Sequence, residues 1–328
     1  MKKLFVLTMM FSIMFAFSNN NLMMMWMSLE INMISFIPLM VNKFNYKMNT
    51  MLYMKYFMVQ SISSIIFFFI NMMNLMKMMN NLNYIINFIM MNSMMMKLGF
   101  PPYHFWYIKL MKSMNWLMCI TLSIIQKIIP LLIIMKFMNF QYIIKMMIIF
   151  SSIYSVMLGL KQTFMKLIMT YSSINHMSWM IMLMMINEMF MIKYFMIYSI
   201  ISIKLMLMFK ITNTNFIKDL YQLKLNKFIK IMIMINILSL GGLPPLMGFL
   251  MKWYSLIYIY SMNKFIIMMI MILLINSTFT LIYYLNLLIP MMFFYNKMNK
   301  LMNFNKFNIK FMMINFMSMY MMLYNSMM

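Results

Sequence analysis

The chain has 328 residues, of which 65% are hydrophobic and only 9% are charged, whereas a soluble domain is usually close to half apolar. The net charge of +24 comes from 27 lysines set against three acidic residues, and most of these lysines lie between apolar runs, where they mark membrane interfaces. The composition therefore excludes an ordinary soluble protein, and the distribution of charge argues against nucleic-acid binding.

Apolar runs long enough to cross a bilayer recur from end to end, and a backbone in lipid must satisfy its own hydrogen bonds. We therefore predict an all-α polytopic membrane protein with about eleven transmembrane helices. Met1-Lys2-Lys3 and the apolar run after it resemble a secretory signal, but no convincing cleavage site follows, so we expect a first span that is kept. The predicted spans are residues 4–18, 22–41, 53–74, 84–98, 115–135, 141–160, 166–186, 189–209, 229–250, 265–289 and 311–327.

Lysines are shared unevenly between the loops of this arrangement. When Lys97, Lys127, Lys204 and Lys252 are set aside, eighteen lysines are counted with the N-terminus and the even-numbered loops, and five, Lys145 among them, are counted with the odd-numbered loops. The positive-inside rule then places the N-terminus on the inner face of the membrane and the C-terminus on the opposite face.

Two of the apolar segments contain glycine and proline where an undisturbed membrane helix would have neither. The interrupting residues are Gly99, Pro101 and Pro102 in the first segment and Gly242, Pro244 and Pro245 in the second. Each interruption has a lysine nearby, Lys97 and Lys252. Two broken apolar segments in corresponding places indicate a transport site between internal repeats. After the first break, residues 103–114 either form an amphipathic helix at the interface or complete the broken span.

Several ionisable residues fall inside predicted spans, where a charge costs roughly 2.5 kcal/mol or more and is a candidate for function. Glu30 and Lys127 lie mid-span; a carboxylate facing the bundle can pair with a lysine and carry protons. Lys204 either has a similar role or extends to the interface. His104 and His176 are each either proton relays or hydrogen-bonding groups between helices.

The remaining ionisable and sulfur-containing residues predict no cofactor or metal site. Cys119 is the single cysteine, which excludes an internal disulfide and a cluster held by four thiolates, and no phosphate-binding or dinucleotide motif is present. The 64 methionines are spread along the chain, which favours adaptable apolar packing over copper binding. Glu188 and Asp219 are expected to be solvated surface charges.

Together, several motifs resemble the antiporter-like membrane subunits of respiratory complex I, and among them the chain 2 family of mitochondrial NADH–ubiquinone oxidoreductase. The matching stretches are residues 29–38, 97–106, 115–116 with 126–128, 172–176 and 238–253. The composition, rich in Met, Lys, Asn and Ile and poor in Ala and Gly, resembles that of an invertebrate mitochondrial gene.

This resemblance implies two inverted five-helix repeats, residues 1–135 and 141–289, each with a broken helix, and an extra span at 311–327 within one integral membrane domain of residues 1–328. It also implies a role in proton translocation by H⁺-translocating NADH:ubiquinone reductase. The family's charged axis maps onto Glu30, Lys97, Lys127 and Lys252, whereas Lys204 has no counterpart to which a role can be assigned.

The resemblance further implies the surroundings of the chain. NADH, FMN, iron–sulfur clusters and ubiquinone would be bound by other subunits, and this chain would bind none of them. Its partners would be other membrane-arm and supernumerary subunits and phospholipid such as cardiolipin. The chain would lie in the mitochondrial inner membrane with the N-terminus in the matrix and the C-terminus in the intermembrane space.

Two alternative functions are a stand-alone cation/proton antiporter and a structural membrane scaffold. A third, a quinone- or haem-binding electron carrier, lacks ligands in the sequence.

Overall fold

The computed structural model describes residues 2–40, 46–75, 83–136, 141–222, 227–244, 246–257 and 264–293. The helices of this part are α1 (Lys2–Ser18), α2 (Leu22–Met40), α3 (Tyr46–Leu75), α4 (Asn83–Leu98), α5 (Phe105–Ser113), α6 (Trp116–Ile120), α7 (Gln126–Met135), α8 (Gln141–Gly159), α9 (Met165–Ile186), α10 (Glu188–Ile211), α11 (Ile217–Gln222), α12 (Lys227–Gly241), α13 (Met247–Ile257) and α14 (Lys264–Phe293). A π-helical turn, Thr121–Ile125, joins α6 to α7.

Within the described residues, five helical stretches are long and apolar enough to cross a membrane. They are Leu22–Met40, Thr50–Asn74, Trp116–Met135, Glu188–Ile211 and Lys264–Ile289. Three shorter apolar helices are Ile85–Leu98, Ile144–Gly159 and Ile229–Gly241. The prediction of a helical membrane protein is thereby confirmed for this part of the chain. The count of about eleven spans stays a prediction, and the span at 311–327 lies outside the described residues.

The chain divides into two compact units, Met1–Ser151 and Ser152–Met328. In the first unit, α2 packs against α1, α3 and α7, and α4 packs against α3 and α7. In the second unit, α10 packs against α9, α12 and α13, and α12 also contacts α13 and α14. The boundary between the units falls inside α8, and the inverted repeats at 1–135 and 141–289 remain a prediction.

Helix α9 is the most completely enclosed helix of the second unit, because nearly every residue from Met165 to Met184 is buried. A helix that is buried all round needs small side chains wherever its neighbours approach closely. Ser172 and Ser173 are two such small residues, and each hydroxyl donates to a carbonyl one turn earlier in α9.

Three polar residues have surroundings that the sequence did not show. Lys145, counted among the loop lysines although it lies within the predicted span 141–160, is buried within α8. Glu188, expected to be a solvated surface charge, is exposed as the first residue of α10, after Asn187, whose side chain accepts from the N–H of Met189. Asp219 is not merely a solvated charge, because its Oδ2 accepts the N–H groups of Asn215 and Phe216 at 2.9 and 2.8 Å. Capping bonds of this kind depend on helix ends that hydropathy does not locate.

Candidate functional site

The first break is an ordered helix end. Helix α4 finishes at Leu98, and Gly99 has a φ of +66°. The N–H of Phe100 donates to the carbonyl of Met95 at 3.1 Å, and that of Gly99 donates to the carbonyl of Met96 at 3.2 Å. These paired bonds are the Schellman cap, which requires the left-handed conformation that glycine adopts without steric cost.

Side chains from neighbouring helices complete this helix end. Trp106 Nε1 donates to the carbonyl of Met96, and Gln60 Nε2 donates to the carbonyl of Lys97, both at 3.2 Å. The carbonyl groups at the end of α4 are thus satisfied by α5 and α3, as buried backbone groups must be. The result fixes the backbone of Lys97, whose side chain is only 5% exposed.

The second break repeats the same cap. Helix α12 ends at Gly241, and Gly242 has a φ of +79°. Its N–H donates to the carbonyl of Ser239 at 3.1 Å, and the N–H of Leu243 donates to that of Leu238 at 3.4 Å. The predicted interrupting residues Gly99, Pro101, Pro102, Gly242 and Pro244 therefore lie in the two interruptions, and Pro245 lies outside the described residues.

The lysines beside the two breaks are placed differently. Lys97 belongs to the helix before its break, whereas Lys252 belongs to α13, after its break. Lys252 is buried and reaches back so that its Nζ donates to the carbonyl of Gly241 at 2.7 Å. A cation at a helix C-terminus interacts favourably with the helix dipole and with carbonyl groups that lack helical partners. Lys252 therefore bridges the two halves of the second broken segment.

Glu30 lies on α2 and faces the interior of the first unit. Its Oε1 is buried and has no hydrogen-bond partner among the described residues. The carboxylate is near enough to interact electrostatically with Lys97 on α4 and with Tyr56 on α3. A buried carboxylate oxygen without a donor is costly, so it is an unusual feature for a purely structural position.

Lys127 lies where its helix is distorted. It is the second residue of α7, directly after the π-helical turn, and its side chain is only 2% exposed. Its Nζ lies 4.9 Å from the centre of the Tyr107 ring, a cation–π arrangement. Pro130 follows within α7 and has no N–H to donate to the carbonyl of Gln126. Such π-helical turns are frequent at functional sites because they interrupt the regular backbone bonds.

A hydrogen-bonded cluster joins the helices that carry Glu30 and Lys127. Gln126 Nε2 donates to Asn32 Oδ1 at 3.0 Å, and Gln126 Oε1 accepts from the hydroxyl of Tyr56 at 3.1 Å. Asn32 and Tyr56 are both buried. We call these three side chains the Gln126 cluster; they connect α7 to α2 and α3.

The Gln126 cluster was not predicted from the sequence. Asn32 and Gln126 are polar residues inside apolar spans, which was an available signal. Tyr56 carries no such signal, because it is one of 20 tyrosines and a tyrosine is common in membrane helices.

The histidines and Lys204 have separate surroundings. His176 Nδ1 is 2.8 Å from the hydroxyl of Tyr194, which joins α9 to α10, and its ring centre is 5.0 Å from that of Tyr198. His104 is buried just before α5, with its ring centre 4.2 Å from that of Phe105. Lys204 is 5% exposed, which disfavours the alternative in which it extends to the interface.

The structure therefore groups the predicted residues within units. Glu30, Lys97 and Lys127 lie on packed helices of the first unit, and Lys252 lies in the second unit with His176. Among the described residues, no three His, Cys, Asp or Glu side chains cluster as metal ligands would.

Comparison with known proteins gives consistent matches. Residues 19–280 match the family described as NADH:quinone oxidoreductase/Mrp antiporter, TM. NADH-ubiquinone oxidoreductase chain 2 of Anopheles gambiae is 35% identical, over 94% of this chain and 90% of that protein. The chain 2 of Locusta migratoria is 37% identical, over 88% of this chain and 84% of that protein. A subunit in the structure of respiratory complex I from Thermus thermophilus has a similar fold, with a TM-score of 0.83 at 16% identity, covering 98% of this chain and 77% of that one.

Proposed function

The chain belongs to the NADH-ubiquinone oxidoreductase chain 2 family, within the wider NADH:quinone oxidoreductase/Mrp antiporter family, and on that premise we propose that it moves protons along a buried Glu/Lys axis. It is a membrane-arm subunit of proton-pumping complex I from an invertebrate mitochondrion. We place it in the inner membrane with its N-terminus in the matrix and its C-terminus in the intermembrane space, in contact with other membrane-arm and supernumerary subunits. NADH, FMN, iron–sulfur clusters and ubiquinone belong to other subunits in this proposal.

The observation that carries the proposal is the Glu30 carboxylate, whose Oε1 is buried without a hydrogen-bond donor among the described residues and which interacts electrostatically with Lys97. While the two groups are close, the carboxylate stabilises the charged lysine. When they separate, Lys97 loses that support and its proton is released toward Lys127 and then Lys252. Lysine suits this role because burial disfavours its charged form, whereas arginine would stay charged.

The Gln126 cluster supports this step by position. Gln126, the residue before Lys127, is hydrogen-bonded to Asn32, which lies two residues after Glu30 on α2. It is also hydrogen-bonded to Tyr56, which interacts electrostatically with Glu30. The Gln126 side-chain amide thereby holds α7, which carries Lys127, in a fixed position relative to α2, which carries Glu30.

The direct test is Glu30→Gln, which keeps the shape of the side chain and removes its charge. We expect proton translocation per NADH oxidised to fall clearly in reconstituted complex, because the switching partner of Lys97 is lost. Assembly should be retained, since a neutral amide is cheaper to bury than a carboxylate.

Glu188→Gln is the matched control, because Glu188 is exposed at the start of α10. It should leave translocation unchanged. Normal translocation in assembled Glu30→Gln complex would contradict the axis and favour the structural-scaffold alternative. Exchange of Na⁺ or K⁺ for H⁺ by the purified chain in vesicles would instead favour a stand-alone antiporter.

A second test is Gln126→Leu, which removes both hydrogen bonds of the cluster while keeping similar bulk. The Tyr56 hydroxyl and the Asn32 amide lose their partner, which costs about 1–3 kcal/mol for each buried group left unsatisfied. We expect lower thermal stability of the complex and a partial loss of proton translocation.

Gln162→Leu is the corresponding control, since Gln162 lies in the connection after α8 and belongs to the second unit, whereas the cluster belongs to the first. Gln126→Glu should translocate more protons than Gln126→Leu if the role of Gln126 is positioning. In its protonated form the new carboxyl group can accept from Tyr56 and donate to Asn32. Wild-type stability and translocation in Gln126→Leu complex would remove the cluster from the proposal.

A further inference from the structure

Two polar side chains near one end of the first unit are buried and have no part in the charged axis. Asn71 on α3 is 2% exposed, and neither its Nδ2 nor its Oδ1 has a hydrogen-bond partner among the described residues. The Nε1 of Trp26 on α2 is also buried and has no partner among those residues. An asparagine amide offers two N–H donors and an acceptor, so burying it unpaired is costly. Such a group calls for a physical explanation.

Three contacts fix how α2 and α3 lie against each other. They are Trp26 with Phe68, 4.7 Å between ring centres, Phe36 with Tyr56, 5.3 Å between ring centres, and the Tyr53 hydroxyl with the Met40 carbonyl at 2.6 Å. The residue numbers rise along α2 as they fall along α3, so the helices are antiparallel and keep one register over these contacts. This register places Glu30 opposite Ser63 and Leu22 opposite Asn71.

Polar groups follow one another along this pair of helices from Glu30 toward one end. Ser63 and its neighbour Ser64 are buried, and each hydroxyl donates within α3 and can still accept a hydrogen bond. Trp26 lies one turn before Glu30 on the same face of α2, about 6 Å along the helix axis. Asn71 lies four residues before the end of α3, which is again about 6 Å. The row therefore leads from the carboxylate to the end of the helix pair.

That end of the unit is the one at which α1 joins α2. The connection consists of Asn19, Asn20 and Asn21, and Leu22, opposite Asn71, follows it directly. The Nζ of Lys136 donates to the carbonyl of Asn20, so the end of α7 lies at the same place. We call this end the α1–α2 face. In the proposed orientation it belongs to the intermembrane space.

Water is a partner that fits these groups. A buried water needs two to four polar partners, and the Asn71 amide and the Trp26 indole together offer three polar atoms. We propose that Trp26 and Asn71 hold ordered water that connects Glu30 to the α1–α2 face, and that Glu30 exchanges protons with this face through that water. The inference rests on the proposed role of Glu30 and adds a route that contains none of the axis lysines.

The step is a proton transfer between a carboxyl group and water. When Glu30 releases its proton, the carboxyl O–H bond breaks and the proton joins the nearest water oxygen. Each water then passes one proton to the next, until one proton leaves at the α1–α2 face. Glu30 remains as the carboxylate that interacts with Lys97, and uptake follows the same steps in reverse. Asn71 and Trp26 lose no proton themselves, so they are positioning residues.

The first test is a density map of the intact complex in lipid nanodiscs, at a resolution that shows ordered water. We expect water about 2.7–3.2 Å from an amide atom of Asn71 and from Nε1 of Trp26, continuing toward Glu30. A dry interface would overturn the proposal. So would an Asn71 amide bonded to another protein group instead of water.

The second test is Asn71→Leu, which replaces the amide by an apolar group of similar shape. Because the amide has no protein partner among the described residues, the complex should be at least as heat-stable as the wild type. Proton translocation should nevertheless fall roughly tenfold, which is less than the about 10²–10⁴ expected for loss of a proton-transfer group, because Glu30 is kept. A purely structural amide would not separate these two readouts. Asn71→Ser, which keeps a hydroxyl and leaves room for water, should restore most of the translocation.

Two further variants complete this test. Trp26→Phe keeps the ring against Phe68 and removes only the N–H, so a smaller loss of translocation is expected. Asn92→Leu is the matched control, the same change at a half-buried site on α4, and should leave translocation unchanged.

The route and the axis fail in different ways. Normal translocation in Asn71→Leu complex beside reduced translocation in Glu30→Gln complex would overturn the water route alone. Normal translocation in both would contradict the axis as well. Failure of Asn71→Leu complex to assemble would show that the amide holds protein groups together, and would also overturn the route.

Discussion

Replacing Lys127 with Met is expected to stop the proton movement that passes through this chain while the complex remains assembled. The side chain is 2% exposed, and a buried ammonium costs roughly 2.5 kcal/mol or more in a membrane helix, so an apolar side chain of similar length is tolerated there. Removing a positioned proton-transfer group usually costs about 10²–10⁴ in rate. In proteoliposomes, protons translocated per NADH oxidised should therefore fall, with native gels showing normal amounts of complex.

Lys136→Met is the matched control, because Lys136 follows α7 and is exposed. Its Nζ donates to the carbonyl of Asn20 at 2.9 Å, so a small loss of stability is expected but no change in translocation. Equal and normal translocation in both variants would show that Lys127 is not on the proton path. A loss in both would mean that translocation responds to any lysine removed from α7 or its end.

The two helix breaks show what the sequence could predict and why. A glycine followed by prolines in an apolar segment signals a helix end, because glycine adopts the left-handed conformation and proline cannot continue the backbone bonds. The structure adds that Gly99 and Gly242 close α4 and α12 with the same pair of bonds. Local rules sufficed here because the cap is formed by residues within six positions of one another.

The placement of Lys252 required the structure. Lys252 is close to Gly242 along the chain, which favours a position near the second break. This closeness does not show that its Nζ reaches the Gly241 carbonyl. That contact depends on how α13 folds back against α12, which hydropathy leaves open. The same holds for Lys145, whose burial in α8 depends on packing and not on its own neighbours in sequence.

The Gln126 cluster shows the same limit for a site. Its members are 24 or more residues apart, at positions 32, 56 and 126, so no spacing rule connects them. Hydropathy shows Asn32 and Gln126 as polar residues within apolar spans, and it gives no such signal for Tyr56. Only the packing of α2, α3 and α7 turns three separate polar residues into a bridge between Glu30 and Lys127.

Replacing Gly248 with Ala is expected to prevent the second unit from packing normally. Gly248 is buried near the start of α13, and an added Cβ would overlap the carbonyl oxygen of Ser239 on α12. A backbone atom cannot rotate away as a side chain can, so α12 and α13 must separate, which also endangers the bond from Lys252 to Gly241. We expect a loss of stability at or above the upper end of the roughly 1–3 kcal/mol typical of overpacking. Native gels and thermal inactivation should show less complex and faster loss of activity.

Gly159→Ala provides the same chemical change in the same unit without the backbone obstacle. A Cβ at Gly159 would meet Tyr283 Cε1 at 3.3 Å, a side-chain atom that can shift by a few tenths of an ångström. Alanine is also the better helix former by about 1 kcal/mol, which offsets that adjustment at the end of α8. Near-normal assembly of Gly159→Ala beside failed assembly of Gly248→Ala would show that the close approach of α12 and α13 holds the second break together. Normal assembly of both would mean that these two helices can move apart without loss, and that the Lys252 contact to Gly241 does not depend on their packing.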